Sequence, residues 1–552
     1  MRMPWVRFVS LWLPAILASA AFVYPGIGKP REEFTKNFRK TVPLSAGQRL
    51  RIEHRMGNIV IRTHPRQEVQ VSAIIRVSAP DREEAARFGN QIEIRLEPLA
   101  GSLLIQTRYP DSEGSSLSGF QVRFARNISF SVNYEIVMPE SAPLEIKNRF
   151  GNVSVSGLKA SSDITNAHGV LAFREGHGNQ QLENSFGNIE VTANTGDVSV
   201  TDSNGSVTVE RVEGSLTVRD RFGKVTIDKI SGRATIVNSN GNVQLTDAGG
   251  PSSISNSFGT ATAATIRGDL TIKNSNGAVD VRNVKGSADL STTFASITFL
   301  DVGKKLTCSA SNTGLSGSKV AETATLRTTF GAVDVSDVGG NIDVDNRNGK
   351  INVRDIRGGA LLKTTFGDVE ASTISRDTRV VAGNSNVTLS DISGAAYVKT
   401  SFGLARGERI GGAITVENSN GGVRALIVKG PADVRTSFGA VILDDVDGGI
   451  DVYNQNGSIE VSKSGARTSG GHGCNISLRT SFAPIKLYLP EDGSYNVSAR
   501  TSFGKITTEL PLTVTGGVGN DSLNGKIGAG ACELRLVNAN SGIQILKTVR
   551  KR

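Results

Sequence analysis

One interval limits what this chain can fold into more than any other feature. Phe recurs every 36 residues, at Phe150, Phe186, Phe222, Phe258, Phe294, Phe330, Phe366, Phe402 and Phe438. The midpoints are His168 and then Asn204, Asn240, Asn276, Asn312, Asn348, Asn384, Asn420 and Asn456. The period is therefore 18 residues with two alternating kinds of unit, and the 306 residues from Gly151 to Asn456 divide into 17 units without insertion or deletion. Only stacked, equivalent units forbid slippage over that distance, because each side chain must sit over its counterpart in the next unit.

The unit Gly205 to Phe222 reads GSVTVERVEGSLTVRDRF. Val207 and Val209 alternate with polar residues, as in a strand with one buried face. Val212 follows, Gly214 marks a turn, and Leu216 and Val218 begin a second alternating run. At steps of 18 the Val207, Val212 and Val218 columns stay aliphatic and largely β-branched, which favours strand over helix. These features predict an all-β parallel β-solenoid, a single-stranded β-helix with a dry interior. At about 4.8 Å per coil, 17 coils make a rod roughly 80 Å long. The inward spacings 2, 3, 4, 2, 2, 2 do not fit left-handed hexapeptide helices, and the GGxGxDxUx calcium motif is absent, so a right-handed coil is expected.

Gly follows nearly every Phe and Asn of the repeat, which marks a tight corner. The reading of this corner is that Phe turns inward and spans more than one coil, while Asn satisfies backbone groups with its amide. On that reading Phe330→Ala costs ~3–5 kcal/mol. The residue two before co-varies: Thr292, Thr328, Thr364, Thr400 and Thr436 accompany Phe, whereas Asn238, Asn274, Asn346, Asn418 and Asn454 accompany Asn.

The flanks break the beat. Residues 1–20 read as a signal peptide: Arg2 and Arg7 precede an apolar run, and Ala18-Ser19-Ala20 fits the cleavage rule. An uncleaved anchor is the alternative, since the apolar stretch runs on through Phe22 and Val23. Residues 21–42 read as a linker, 43–150 as an N-terminal β capping region, 151–456 as the regular solenoid, and 457–552 as irregular coils with a basic tail. Atypical ends are expected, because exposed sheet edges must be covered. The step from Phe438 to Phe482 is 44 residues and that to Phe503 is 21, with a Gly/Ser-rich insertion at Gly465–Gly473.

The three cysteines are too few for a disulfide framework. Cys308 falls in the Val218 column and reads as core; pairing is one option for Cys474 and Cys532. The net charge of +10 reads as a solvated surface, and scattered basic residues without interleaved aromatics argue against nucleic acid.

The search for chemistry finds no catalytic, cofactor or metal residues to nominate. Asp247, Asp301, Asp337, Asp355, Asp391 and Asp445 share a column with Arg211, Lys229, Lys319 and Arg409, spread along the rod as a solvated turn would be. His168 occupies an Asn slot and reads as structural; His472 with Cys474 offers too few metal ligands. Ser239, Ser257, Ser275, Thr293, Ser311, Thr329, Thr365, Ser401, Ser419 and Ser437 form a hydroxyl ladder beside the corner, read as turn hydroxyls that cap backbone groups.

The segments NSNGNVQLTD, NSFGNIEVTA, TTFGAVDVSD and VPLSAGQRLRIEHRMGNIVI resemble the bacterial adhesin-type, toast-rack β-solenoid family. The resemblance covers roughly Val42 to the C-terminus. It implies a fold and no catalytic residue. The expectation is a non-enzymatic exported protein of the periplasm, cell surface or medium, acting as an adhesin-like binding rod or scaffold. A surface glycan or an envelope protein is the candidate partner, and no cofactor is expected. Membrane association is expected only if the N-terminal segment is uncleaved. The alternatives are a polysaccharide lyase or hydrolase of β-helix type and an envelope-stress sensory partner.

Overall fold

The computed structural model describes residues 31–110, 128–463, 472–515, 519 and 521–548. The signal peptide read at 1–20, most of the 465–473 insertion and the last basic residues lie outside them.

Each coil lays one strand into each of two long parallel sheets. In one, Val207–Glu213 pairs with Val225–Ile230, with Val207 opposite Val225. In the other, Leu216–Phe222 pairs with Ala234–Asn240, with Leu216 opposite Ala234. The 18-residue register holds from coil to coil, so this is the parallel β-solenoid that the repeat predicts. Val207, Val209 and Val212 from one sheet meet Leu216 and Val218 from the other in a buried aliphatic core. Cys308 is wholly buried there, and burial pushes its thiol well above the usual range.

The three-residue step from Val209 to Val212 has a specific backbone cause. Arg211 has φ 56°, and the same left-handed conformation recurs every 18 residues from Glu175 to Asp445. One residue turned this way between Val209 and Val212 lets both valines face inward, and it stands level with its counterpart Lys229 in the paired strand. The acid–base column is therefore an aligned left-handed kink inside each of these strands rather than a turn. Its side chains remain at the surface, where Asp391 is held by Arg409 through Nη2 at 3.0 Å. Where the core holds Phe173 and Phe299, neighbouring Gly176 and Gly317 leave room: a Cβ there would lie 2.2 and 2.3 Å from the nearest atoms.

The corner departs from expectation. The Phe column is exposed, from 38% at Phe150 to 83% at Phe503, with Phe330 at 50%. The inward residue is the polar one two before it, as at Asn346 and Thr364. The Gly that follows each corner residue stacks on the next coil with no room for a side chain: a Cβ on Gly187 would lie 2.3 Å from Gly169 O. The corner carbonyls point at the core and require donors. Asn346 Nδ2 donates to Gly331 O at 2.8 Å, Asn454 Nδ2 to Gly439 O at 2.7 Å, and Thr328 Oγ1 to Thr313 O at 2.9 Å. The co-varying Asn/Thr column is thus the buried corner ladder. The ~3–5 kcal/mol expected for Phe330→Ala does not apply to a ring half in water.

Both ends are interleaved. At the N-terminal end Arg49–Met56 is flanked by Ser102–Arg108 on one side and Leu144–Phe150 on the other, both parallel. In the other sheet Ile59–His64 lies between Ser129–Pro139 and Val153–Ser156. Antiparallel strands finish the edges: Glu93–Leu99 on Ser102–Arg108, then Glu68–Ala79 on Ser129–Pro139 and Glu32–Pro43 on Glu68–Ala79. The second half of the segment read as linker is therefore an edge strand. The helix Arg82–Gln91, N-capped by Asp81, backs this edge, with Gly89 close under Phe34.

At the C-terminal end the last coil, Cys532–Asn538 and Ile543–Lys547, inserts between the coil starting at Ile476 and the one starting at Tyr495. Ser522–Ile527 then adds antiparallel to Tyr495–Thr501. A disulfide joins Cys474 to Cys532, so the pairing option is realised and Cys474 is no free metal ligand. Among the described residues no helix is long and apolar enough to cross a membrane.

Candidate functional site

The exposed Phe residues fall in one column, coil on coil, on a corner of the rod. Strand register carries the column through the interleaved C-terminal cap. Thr480 lies opposite Asn538, and Asn538 opposite Thr501, so two residues on the order is Phe482, Asn540, Phe503. The sequence intervals of 44 and 21 look like a loss of the repeat; in space the Phe/Asn alternation is unbroken. Phe482, Phe503 and Asn540 were thus missed from sequence; the recurrence of Arg-Thr-Ser-Phe at 435–438, 479–482 and 500–503 marks both Phe as corner residues, and the strand order places Asn540 between them. At the other end Met56 lies opposite Phe150.

Four of the midpoint Asn residues donate their side-chain amide to a corner carbonyl. Asn204 Nδ2 donates to Ser185 O at 3.3 Å, Asn240 to Arg221 O at 3.4 Å, Asn348 to Thr329 O at 3.4 Å, and Asn420 to Ser401 O at 3.4 Å. Asn540 Nδ2 does the same to Ser481 O at 3.0 Å. Each acceptor immediately precedes a ladder Phe on the neighbouring coil. Asn276 and Asn456 hold the equivalent positions, and the backbone of Asn456 donates to Ser437 O at 2.7 Å. His168 fills the first slot with an aromatic ring, stacked on Phe150 at 4.7 Å and on Phe186 at 4.8 Å, within 7° and 5° of parallel.

Beside the ladder runs a shallow polar groove of about 380 Å³. Ser257, Ser275, Thr293 and Ser311 of the hydroxyl ladder line it with Lys273. A second groove, about 630 Å³, brings Asp433, Asp451 and Glu533 together near the C-terminal cap. Arg435 engages both aspartates there, at 3.3 and 2.7 Å, and Asn496 Nδ2 donates to Glu533 at 3.1 Å, so each of the three acids has a partner in place.

Four positions between Asn148 and Asn454 break the Asn/Thr pattern of the buried corner ladder: Ala310 and Ala382 carry no polar group, and Asp202 and Asp220, both nearly fully buried, carry a carboxyl instead. Burial, then the neighbouring Asp220 charge, pushes the Asp202 carboxyl up to about 7; burial also raises Asp220. Neither oxygen of Asp202 has a hydrogen-bond partner. In the N-terminal cap, His54 is buried with Thr107 Oγ1 at 3.1 Å from Nδ1, and Thr107 Oγ1 lies 2.6 Å from Tyr134 OH. Burial holds the His54 imidazole down at about 4.

No family model matches the chain, and no curated protein does. Among solved structures it is similar to a "putative cell adhesion protein" from Clostridium sporogenes, at 12% identity and a TM-score of 0.17, over 45% of this chain and 99% of that one. A likeness at that score carries no argument about function.

Proposed function

We propose that this chain is a non-enzymatic, exported rod of the cell envelope, an adhesin-like scaffold whose working surface is the Phe ladder. One observation carries the reading. The ladder keeps its alternation through a cap where chain order is scrambled, although exposed rings add little to the core. Exposed apolar rows of this length mark binding faces. The Cys474–Cys532 disulfide supports export, because such bonds persist in oxidising compartments. The signal-like start and the toast-rack resemblance point the same way.

The test places the full chain on neutral and anionic polysaccharides and on isolated envelope fractions, with newly released chain ends recorded. Retention without new ends, lost on replacing four ladder Phe by Ser, is expected. New chain ends would overturn the reading, as would retention indifferent to the ladder.

A further inference from the structure

The ladder has a geometry that suits one partner above others. Its rings repeat every second coil, about 9.6 Å apart. The slot between Phe150 and Phe186 shows what such a slot accepts: the His168 ring sits one coil from each Phe and nearly parallel to both. The other slots hold Asn, which is shorter, and at Asn204, Asn240, Asn348, Asn420 and Asn540 its amide is tied back to the backbone. Their outer halves are therefore open to a ring of the same thickness. A partner must supply rings on the same two-coil pitch, and this chain carries such a row itself.

We propose that the ladder pairs with the ladder of a second copy, the rings of each entering the Asn slots of the other. The proposal rests on the ladder being the binding face. Symmetry selects the arrangement. A two-fold axis along the rods would bring Phe level with Phe, whereas an antiparallel pair can be offset by one coil and remain closed. His168 blocks the first slot, so the fullest register engages the rings from Phe222 to Phe503. These nine are 49–83% exposed. At roughly 200 Å² for a Phe side chain they offer about 1,000 Å² per copy. A standard stable interface needs about 800 Å² per partner.

Two variants test the idea by sedimentation equilibrium of the full chain. Phe330→Ser, Phe366→Ser, Phe402→Ser and Phe438→Ser together remove four rings at exposed positions, and the dimer should weaken at least about a hundredfold. Asn348→Phe, Asn384→Phe and Asn420→Phe together close three slots as His168 does. This variant should also lose the dimer, although its surface is more apolar. Unchanged or tighter dimers in the slot-filled variant would overturn interdigitation, as would a parent chain monomeric to about 100 µM. Polysaccharide retention on the same variants separates the two readings. A monomeric parent that still loses retention without its ladder leaves the binding rod standing and removes only the self-pairing.

Discussion

The two ends of the rod reach one topology by opposite routes. At the N-terminal end the first coil in the chain is covered by a later one; at the C-terminal end the last coil is covered by an earlier one. In both, antiparallel strands then occupy the outermost edge. The materials differ. The N-terminal cap is a packed miniature domain, with long strands, a helix and buried Tyr134 and His54. The C-terminal cap has short outer strands and a covalent tie. Both edges are closed by antiparallel strands over buried apolar residues, and the C-terminal end adds a cross-link between two inner coils.

The largest effect expected from breaking that contrast is at Tyr134. Tyr134→Ala removes a ring that is 1% exposed and should destabilise the N-terminal cap by about 3–5 kcal/mol. Hydrogen exchange should accelerate from Glu32 to Pro139 and stay unchanged beyond Ile476; equal acceleration at both ends would mean the caps are not independent. Reduction of Cys474–Cys532, which spans 58 residues, should do the reverse, loosening only the C-terminal cap by about 2–4 kcal/mol.

A smaller, signed effect separates the N-terminal cap from the adjoining shaft. His54 has its folded value lowered to about 4 from 6.5. The unfolded chain therefore binds the proton first, and the cap loses stability as pH falls through 6.5 towards 4. Asp202 has its folded value raised to about 7, so its contribution is present below about 4 and lost as pH rises through 7. Between pH 8 and 5 the cap should weaken by about 2 kcal/mol and the Asp202 coil should strengthen by a similar amount. Exchange rates that shift the same way in both regions would contradict these assignments.

How much of this was legible in the sequence depends on which restraint acts at each residue. The core columns follow from period and polarity alone, since Val207 and Val218 have only one dry place to go. The direction of Phe330 does not. Polarity places the ring inside and Asn346 outside, but the corner carbonyls, each in need of a donor, reverse that order. The Thr/Asn co-variation was the visible trace of this reversal. Phe503 carries the same Arg-Thr-Ser-Phe-Gly run as Phe438, and only its place in the ladder was hidden, because its neighbour in space, Asn540, lies 37 residues further along the chain.

The threaded C-terminal coil has a consequence for how the molecule is made. During synthesis Tyr495–Thr501 emerges well before Cys532–Asn538, the strand on which it must finally rest. If it zipped at once onto Ile476–Thr480, Phe482 would lie directly against Phe503, two like steps of the ladder in succession. The fold is therefore completed only when Cys532–Asn538 and the residues that follow it to Asn540 arrive and separate those two coils. A prematurely terminated chain would keep the parity fault and lack the Cys532 thiol that locks the correct arrangement. The end of the rod thereby records whether synthesis passed Asn540.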